Sequence, residues 1–199
     1  MNRIEITGNS VALDADGLGN NVTGATFTLT ANDAGDGLAH KITVLNNTAN
    51  DHSAKTLALV GTGSNGEAQT ETLTAPAGSV SVTSAKYYKT LTSITPSATI
   101  GADTFDIGWA AVSVSAWVPV EKRVGAFNIG FGCTVVSGTP TYTVQHTYDK
   151  GVATFNHATV ASETTSQDGT YTSPVEAIRL SWAAAGEVTL TGYQASDRY

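Results

Sequence analysis

The stretch Thr141-Tyr142-Thr143-Val144-Gln145-His146-Thr147-Tyr148 decides the fold class. Its character alternates with a period of two. Tyr142, Val144, His146 and Tyr148 share one face, and the three threonines and Gln145 share the other. Successive side chains of a β-strand point to opposite sides, so this is the pattern of a half-buried strand. Threonine reinforces it, because a β-branched side chain is stiff and suits a pleated surface.

The same alternation recurs on either side. Thr26-Phe27-Thr28-Leu29-Thr30, Thr70-Glu71-Thr72-Leu73-Thr74, Ser79-Val80-Ser81-Val82-Thr83 and Thr90-Leu91-Thr92-Ser93-Ile94 read as strands, as do 41–45 and 56–60. Gly63-Ser64-Asn65-Gly66 separates two of these runs, and Asn-Gly tolerates the positive φ of a turn, so 56–74 reads as a hairpin. Toward the C-terminus, 127–132 alternates apolar and small residues. Residues 177–182 and 187–193 read as two strands parted by Ala183-Ala184-Ala185-Gly186. The expected fold class is therefore all-β: antiparallel β-sandwich or jelly-roll-like units, two in tandem, at 1–112 and 113–199. No Pro- or Ser-rich linker marks the boundary, which leaves a shared sheet or a single continuous domain open.

Composition narrows the function classes. Only 14% of the 199 residues are charged, against about 25% in ordinary soluble domains. At 41% hydrophobic the chain is too apolar for an extended disordered protein. The net charge is −7 and there is no run of Lys or Arg, so no nucleic-acid partner is expected. The opening residues lack an apolar signal segment and no stretch of about 18 apolar residues occurs, so neither secretion nor a membrane span is expected. Cys133 is the single cysteine, which excludes an intrachain disulfide and a Cys-rich zinc site; it reads as a small buried hydrophobe.

Chemistry-bearing motifs are sparse. Asp14-Ala15-Asp16-Gly17 and Asp33-Ala34-Gly35-Asp36-Gly37 are acidic loops; neither completes a calcium-binding hand and Asp with Gly ordinarily makes turns, which leaves a calcium loop as the alternative. His40, His52, His146 and His157 have no metal-ligand spacing; His146, on an apolar strand face, reads as a hydrogen-bonded core or interface residue. No nucleophile motif, carboxylate pair or phosphate loop stands out. The expectation is a non-enzyme with no cofactor, metal or catalytic residues. Among the aromatics, adjacent Tyr87 and Tyr88 must point to opposite faces, so one of them reaches a surface. Tyr87, Tyr88, Trp109, Trp117 and the tail residue Tyr199 are the candidate interface residues.

Two segments carry a resemblance. GTGSNGEAQTETLT at 61–74 is followed by VTSAKYYKTLTSIT at 82–95. FNIGFGCTVVSGTPTYTVQHTYD at 127–149 is continued by Phe155-Asn156-His157, Asp168-Gly169-Thr170-Tyr171, Pro174-Val175 and Ala177-Ile178-Arg179-Leu180. Together they cover more than half of the chain, and the second is the more specific. They resemble segments of tailed-bacteriophage virion structural proteins, of the capsid decoration or cement type. The resemblance implies a structural role and carries no catalytic residue. It does not itself place the protein on the head or in the tail; the leading expectation is a homo-oligomer, taken as a trimer, made in the host cytoplasm and bound to the major capsid protein or other virion proteins on the capsid surface. Tail, fibre or head–tail placement, and a carbohydrate-binding module for host attachment, are the alternatives; the last requires aromatics along one exposed sheet face.

Overall fold

The computed structural model describes residues 2–123 and 127–195. Every regular element among them is a strand. In chain order these are β1 (Asn2–Ser10), β2 (Asp14–Val22), β3 (Ala39–Asn46), β4 (Thr56–Thr62), β5 (Ala68–Thr74), β6 (Ser81–Tyr88) and β7 (Thr90–Pro96). There follow β8 (Phe105–Val114), β9 (Val118–Pro119), β10 (Ile129–Thr147), β11 (Phe155–Asn156), β12 (Gln167–Tyr171) and β13 (Ala177–Gln194). The protein is all-β and built of antiparallel sheets, as the alternation predicts. No helix among the described residues is long and apolar enough to cross a membrane.

The chain forms two compact units, one of Ala12–Ser113 and one that joins the residues up to Val11 to those from Val114 onward. The sequence reading gives residues 1–11 to the first unit. In the structure β1 instead pairs along its whole length with β13, from Asn2↔Gln194 to Ser10↔Gly186. Ile4 and Ile6 are buried, and the exposed Arg3, Glu5 and Thr7 alternate with them. Local alternation identifies such a strand but carries no information on so remote a partner.

In the Ala12–Ser113 unit, β8, β3 and β6 lie side by side, β2 pairs with β8, and β5, β4 and β7 make a separate three-stranded sheet. Ile42, Val44, Phe105 and Ile107 from the first group share one core with Leu57, Leu59, Leu91 and Ile94 from the second. Two sheets facing across an apolar layer is a sandwich. Each fully buried Leu or Ile stabilises it by about 1.5–3 kcal/mol. The 56–74 hairpin is present, with Thr56 opposite Thr74 and Thr62 opposite Ala68. Its loop is longer than a two-residue turn, and Gly66, at φ 86°, takes the left-handed conformation. Residues 26–30 form no strand. Phe27 is buried and Leu29 packs on the core, so the two-sided pattern is real. This segment, however, bonds as an irregular loop, through Phe27 N–H to Ile94 O and Thr30 N–H to Leu18 O.

The other unit is organised by one ribbon. β10 and β13 pair from Ile129↔Gln194 through Gly138↔Gly186 to Thr147↔Ala177. A straight strand would hold Ile129 and His146 about 55 Å apart. Yet His146 is hydrogen-bonded to Tyr171, which sits opposite Ile129. The ribbon is therefore doubled back, and its register shifts fall between Val135 and Tyr142. Gly138 and Gly186 occupy the bend at φ 75° and 145°, conformations that L side chains rarely adopt. A Cβ on Gly186 would lie 2.7 Å from Pro140 Cδ and 2.9 Å from Ser137 O. One half of the ribbon is flanked by β12 and β1, the other by β11 and β9. Phe131, Cys133, Val188 and Leu190 from the first half and Tyr142, Val144, Leu180 and Trp182 from the second supply the core. The two strands read at 177–182 and 187–193 are thus one strand, bent at Gly186.

Candidate functional site

The ends of the doubled ribbon meet around an open cleft of about 250 Å³. It is lined by His146 and Tyr148 from the end of β10, Asn156, His157 and Ala158 at and after β11, and Thr170–Ser173 at and after β12. All of these belong to the unit that contains β10 and β13. Among the described residues no Asp, Glu, Lys or Arg lines it.

Ring contacts hold the aromatic wall together. His146 stacks on Phe155 with centroids 5.7 Å apart and 25° between planes, and meets Tyr148 and Tyr171 edge-on at 5.3 and 5.2 Å. His157 meets Tyr171 at 4.8 Å and Phe131 at 5.1 Å. Tyr148 and Phe155 remain 54% and 47% exposed, so the wall is open to solvent on one side.

Polar bonds fix its orientation. His157 Nδ1 accepts from the Thr159 N–H at 3.3 Å, so Nε2 carries the proton and donates to Thr170 O at 3.2 Å. His146 Nδ1 is 3.3 Å from the Tyr171 hydroxyl. Burial, and then the neighbouring His157, pull the His146 pKa below its ordinary value, and burial raises that of Tyr171. Both groups are accordingly neutral near pH 7. Behind the wall, Trp117 stacks on the Arg179 guanidinium at 4.3 Å, Arg179 Nε donates to Gln145 Oε1 at 2.9 Å, and Gln145 Nε2 donates to Asn156 Oδ1 at 3.1 Å. Asn156 is thereby oriented, and among the described residues its amide N–H groups engage no protein acceptor. The hydroxyls of Thr172 and Ser173 likewise have no protein partner among the described residues.

The loop that carries Tyr148 toward Phe155 is tied down by its own side chains. Thr147 Oγ1 donates to Asp149 Oδ1 at 2.8 Å, Gly151 N–H donates to Thr147 Oγ1 at 2.9 Å, and Ala153 N–H donates to Asp149 Oδ1 at 2.8 Å. These bonds, the Ala153 N–H first, hold the Asp149 carboxyl below the usual carboxylate range. Lys150 and Gly151 turn the chain at positive φ, and a Cβ on Gly151 would press on Trp117 Nε1 at 2.7 Å.

The candidate interface residues are not gathered here. Tyr87 and Tyr88 do point opposite ways. Tyr88 is 2% exposed, inside the Ala12–Ser113 core, so its place among surface residues is corrected; apolar neighbours leave its hydroxyl without a partner and burial raises its pKa. Tyr87 is half-buried, with Lys41 Nζ 5.5 Å from its ring centre. Trp109 is half-buried on the same core, and its indole N–H donates to Ala12 O at 3.0 Å. Trp117 stands behind the cleft. Tyr199 lies outside the described residues.

The other two histidines, the acidic loops and the cysteine have structural roles. His40 Nε2 lies 2.8 Å from the buried Asp36 carboxylate and Nδ1 faces Ala110 O at 3.0 Å. His52 Nε2 lies 2.7 Å from Asp103 and Nδ1 accepts from Lys55 Nζ at 3.0 Å. In the acidic loops, Asp14, Asp33 and Asp36 accept backbone N–H groups two residues on, the turn-making role of Asp. Cys133 is buried, and burial pushes its thiol pKa up to about 12, so it is no thiolate.

A second surface is defined by its lack of charge. The outer face of the three-stranded sheet presents Thr56, Ala58 and Val60 of β4 and Thr70, Thr72 and Thr74 of β5, with Thr95 of β7 opposite Ala58. The only carboxylate on these strands, Glu71, lies on the other face and accepts the N–H groups of Ala85 and Lys86. No family model, curated protein or solved structure matches the chain.

Proposed function

We propose that this is a structural protein of a tailed-bacteriophage virion, a capsid decoration protein that binds the outside of the major capsid lattice as a homo-oligomer. The observation that carries the reading is the uncharged outer face of β5-β4-β7. In a chain of net charge −7, a sheet face of threonine, alanine and valine is suited to lie against protein. Charged residues are depleted at the centre of protein interfaces, and β-branched side chains lose little rotamer freedom when covered. The resemblance supports the same role, and its more specific segment includes β10, the long strand that organises the second unit.

Counting copies in purified virions tests this. A copy number comparable to that of the major capsid protein is expected, and Val60→Lys with Thr72→Lys lowers occupancy on capsids while the free protein keeps its fold. Copies in small multiples of three or six would move the protein to the tail or head–tail region, and its absence from virions would overturn the structural role.

A further inference from the structure

The cleft on the β10–β13 unit asks for a ligand with three properties. First, it must be uncharged. Among the described residues no ionic side chain lines the cleft, and its two histidines are hydrogen-bonded to protein. Second, it must have an apolar face and a polar rim. One wall is aromatic, with Tyr148 and His146 at the opening, while Asn156, Thr170, Thr172 and Ser173 supply amide and hydroxyl groups on the other sides. Third, it must be small, because about 250 Å³ lies below the roughly 300–1,000 Å³ of pockets for drug-sized ligands.

From these constraints we propose that the cleft is a binding subsite for a single neutral pyranose ring of a glycan. The C–H face of the sugar packs on the exposed Tyr148 ring, which His146 meets edge-on, and its hydroxyls meet the Asn156 amide and the Thr172 and Ser173 hydroxyls. The site is built before the ligand arrives. Asp149 and Thr147 fix the loop that bears Tyr148, and the Trp117–Arg179–Gln145 series fixes Asn156. A preorganised site loses little conformational freedom on binding. A nonpolar partner segment fits less well, since it would strand the unpaired amide and hydroxyl groups of the rim. The subsite is independent of the capsid reading, which rests on a different sheet in the other unit.

The test is NMR titration of the isotope-labelled full chain with the methyl glycosides of glucose, galactose, mannose and N-acetylglucosamine. Glucuronate serves as the anionic counterpart. At least one neutral glycoside is expected to shift amides at 145–148, 155–158 and 170–173 saturably, and glucuronate to bind more weakly. Tyr148→Ala should weaken binding about tenfold or more, and Asn156→Ala should weaken it while the spectrum elsewhere stays unchanged. Tyr148 is exposed, so its replacement leaves the core intact. No saturable shift with any of the four, shifts centred elsewhere, or equal affinity in Tyr148→Ala would each overturn the proposal. None of these results bears on virion copy number, so the two readings fail separately.

Discussion

His146 shows how one residue joins burial to pH. Its ring is stacked on Phe155, bonded to Tyr171 and depressed in pKa by burial. A histidine in the unfolded chain takes up its proton near pH 6.5, whereas the folded protein resists protonation to lower pH. Between those two values the unfolded state binds more protons, so stability is full above about pH 6.5 and falls as the pH drops below it. Urea unfolding of the β10–β13 unit between pH 7 and 5 should show this decline, and His146→Phe should flatten it. A wild-type profile that is already flat would contradict the assignment. Tyr88 teaches the complementary lesson. Adjacency to Tyr87 dictates that the two point apart, but which one turns inward depends on the sheet packed above them, and no neighbour in sequence carries that information.

At the scale of elements, the bend in the β10–β13 ribbon is the feature most sensitive to sequence. Gly138→Ala places a Cβ 2.9 Å from Gly186 Cα at a left-handed φ, at a cost of about 1–2 kcal/mol. Gly186→Val should cost more, because the bend closes on Pro140 and Ser137 and a branched side chain has no space to enter. Denaturation followed by tryptophan fluorescence, to which buried Trp182 contributes, reads both losses. Strand faces were legible in the sequence because period-two alternation is a local property; the 56–74 hairpin and most strands follow from it. The bend was not. Ala183-Ala184-Ala185-Gly186 has the look of a connection, and only the remote approach of Ser137 and Pro140 shows that the strand continues through it. The cleft was legible in part. His146 and Tyr148 stand out on one strand face, but Asn156 and Thr170–Ser173 join them only because the ribbon folds over. Residues 26–30 mark the opposite limit, since alternation there reports burial without a strand partner.

At the scale of the whole molecule, one unit is continuous in the chain and the other is not. Ala12–Ser113 is continuous, with its own core, while the other unit draws β1 from before it and everything else from after it. Residues 12–113 should therefore fold alone. Residues 114–199 should not, because they leave one edge of β13 unpaired and the core without Ile4 and Ile6. A synthetic peptide of residues 1–11 added to the 114–199 fragment should restore a cooperative unfolding transition and the near-ultraviolet signal of Trp182. Cooperative unfolding of 114–199 without the peptide would show that β1 is dispensable.

The pairing of β1 with residues 186–194 also sets an order in time. During synthesis β1 is made before its partner strand, which follows more than 170 residues later. The continuous unit between them has all its contacts in hand long before that, and domains generally fold as units in the order in which they are made. By then residues 12–113 no longer behave as an open coil, which lowers the loop-closure entropy that slows distant strand pairing. Until that moment β1 waits as an exposed strand with alternating apolar residues, and the charged pair Arg3 and Glu5 on its outer face is what guards it from pairing with the wrong chain.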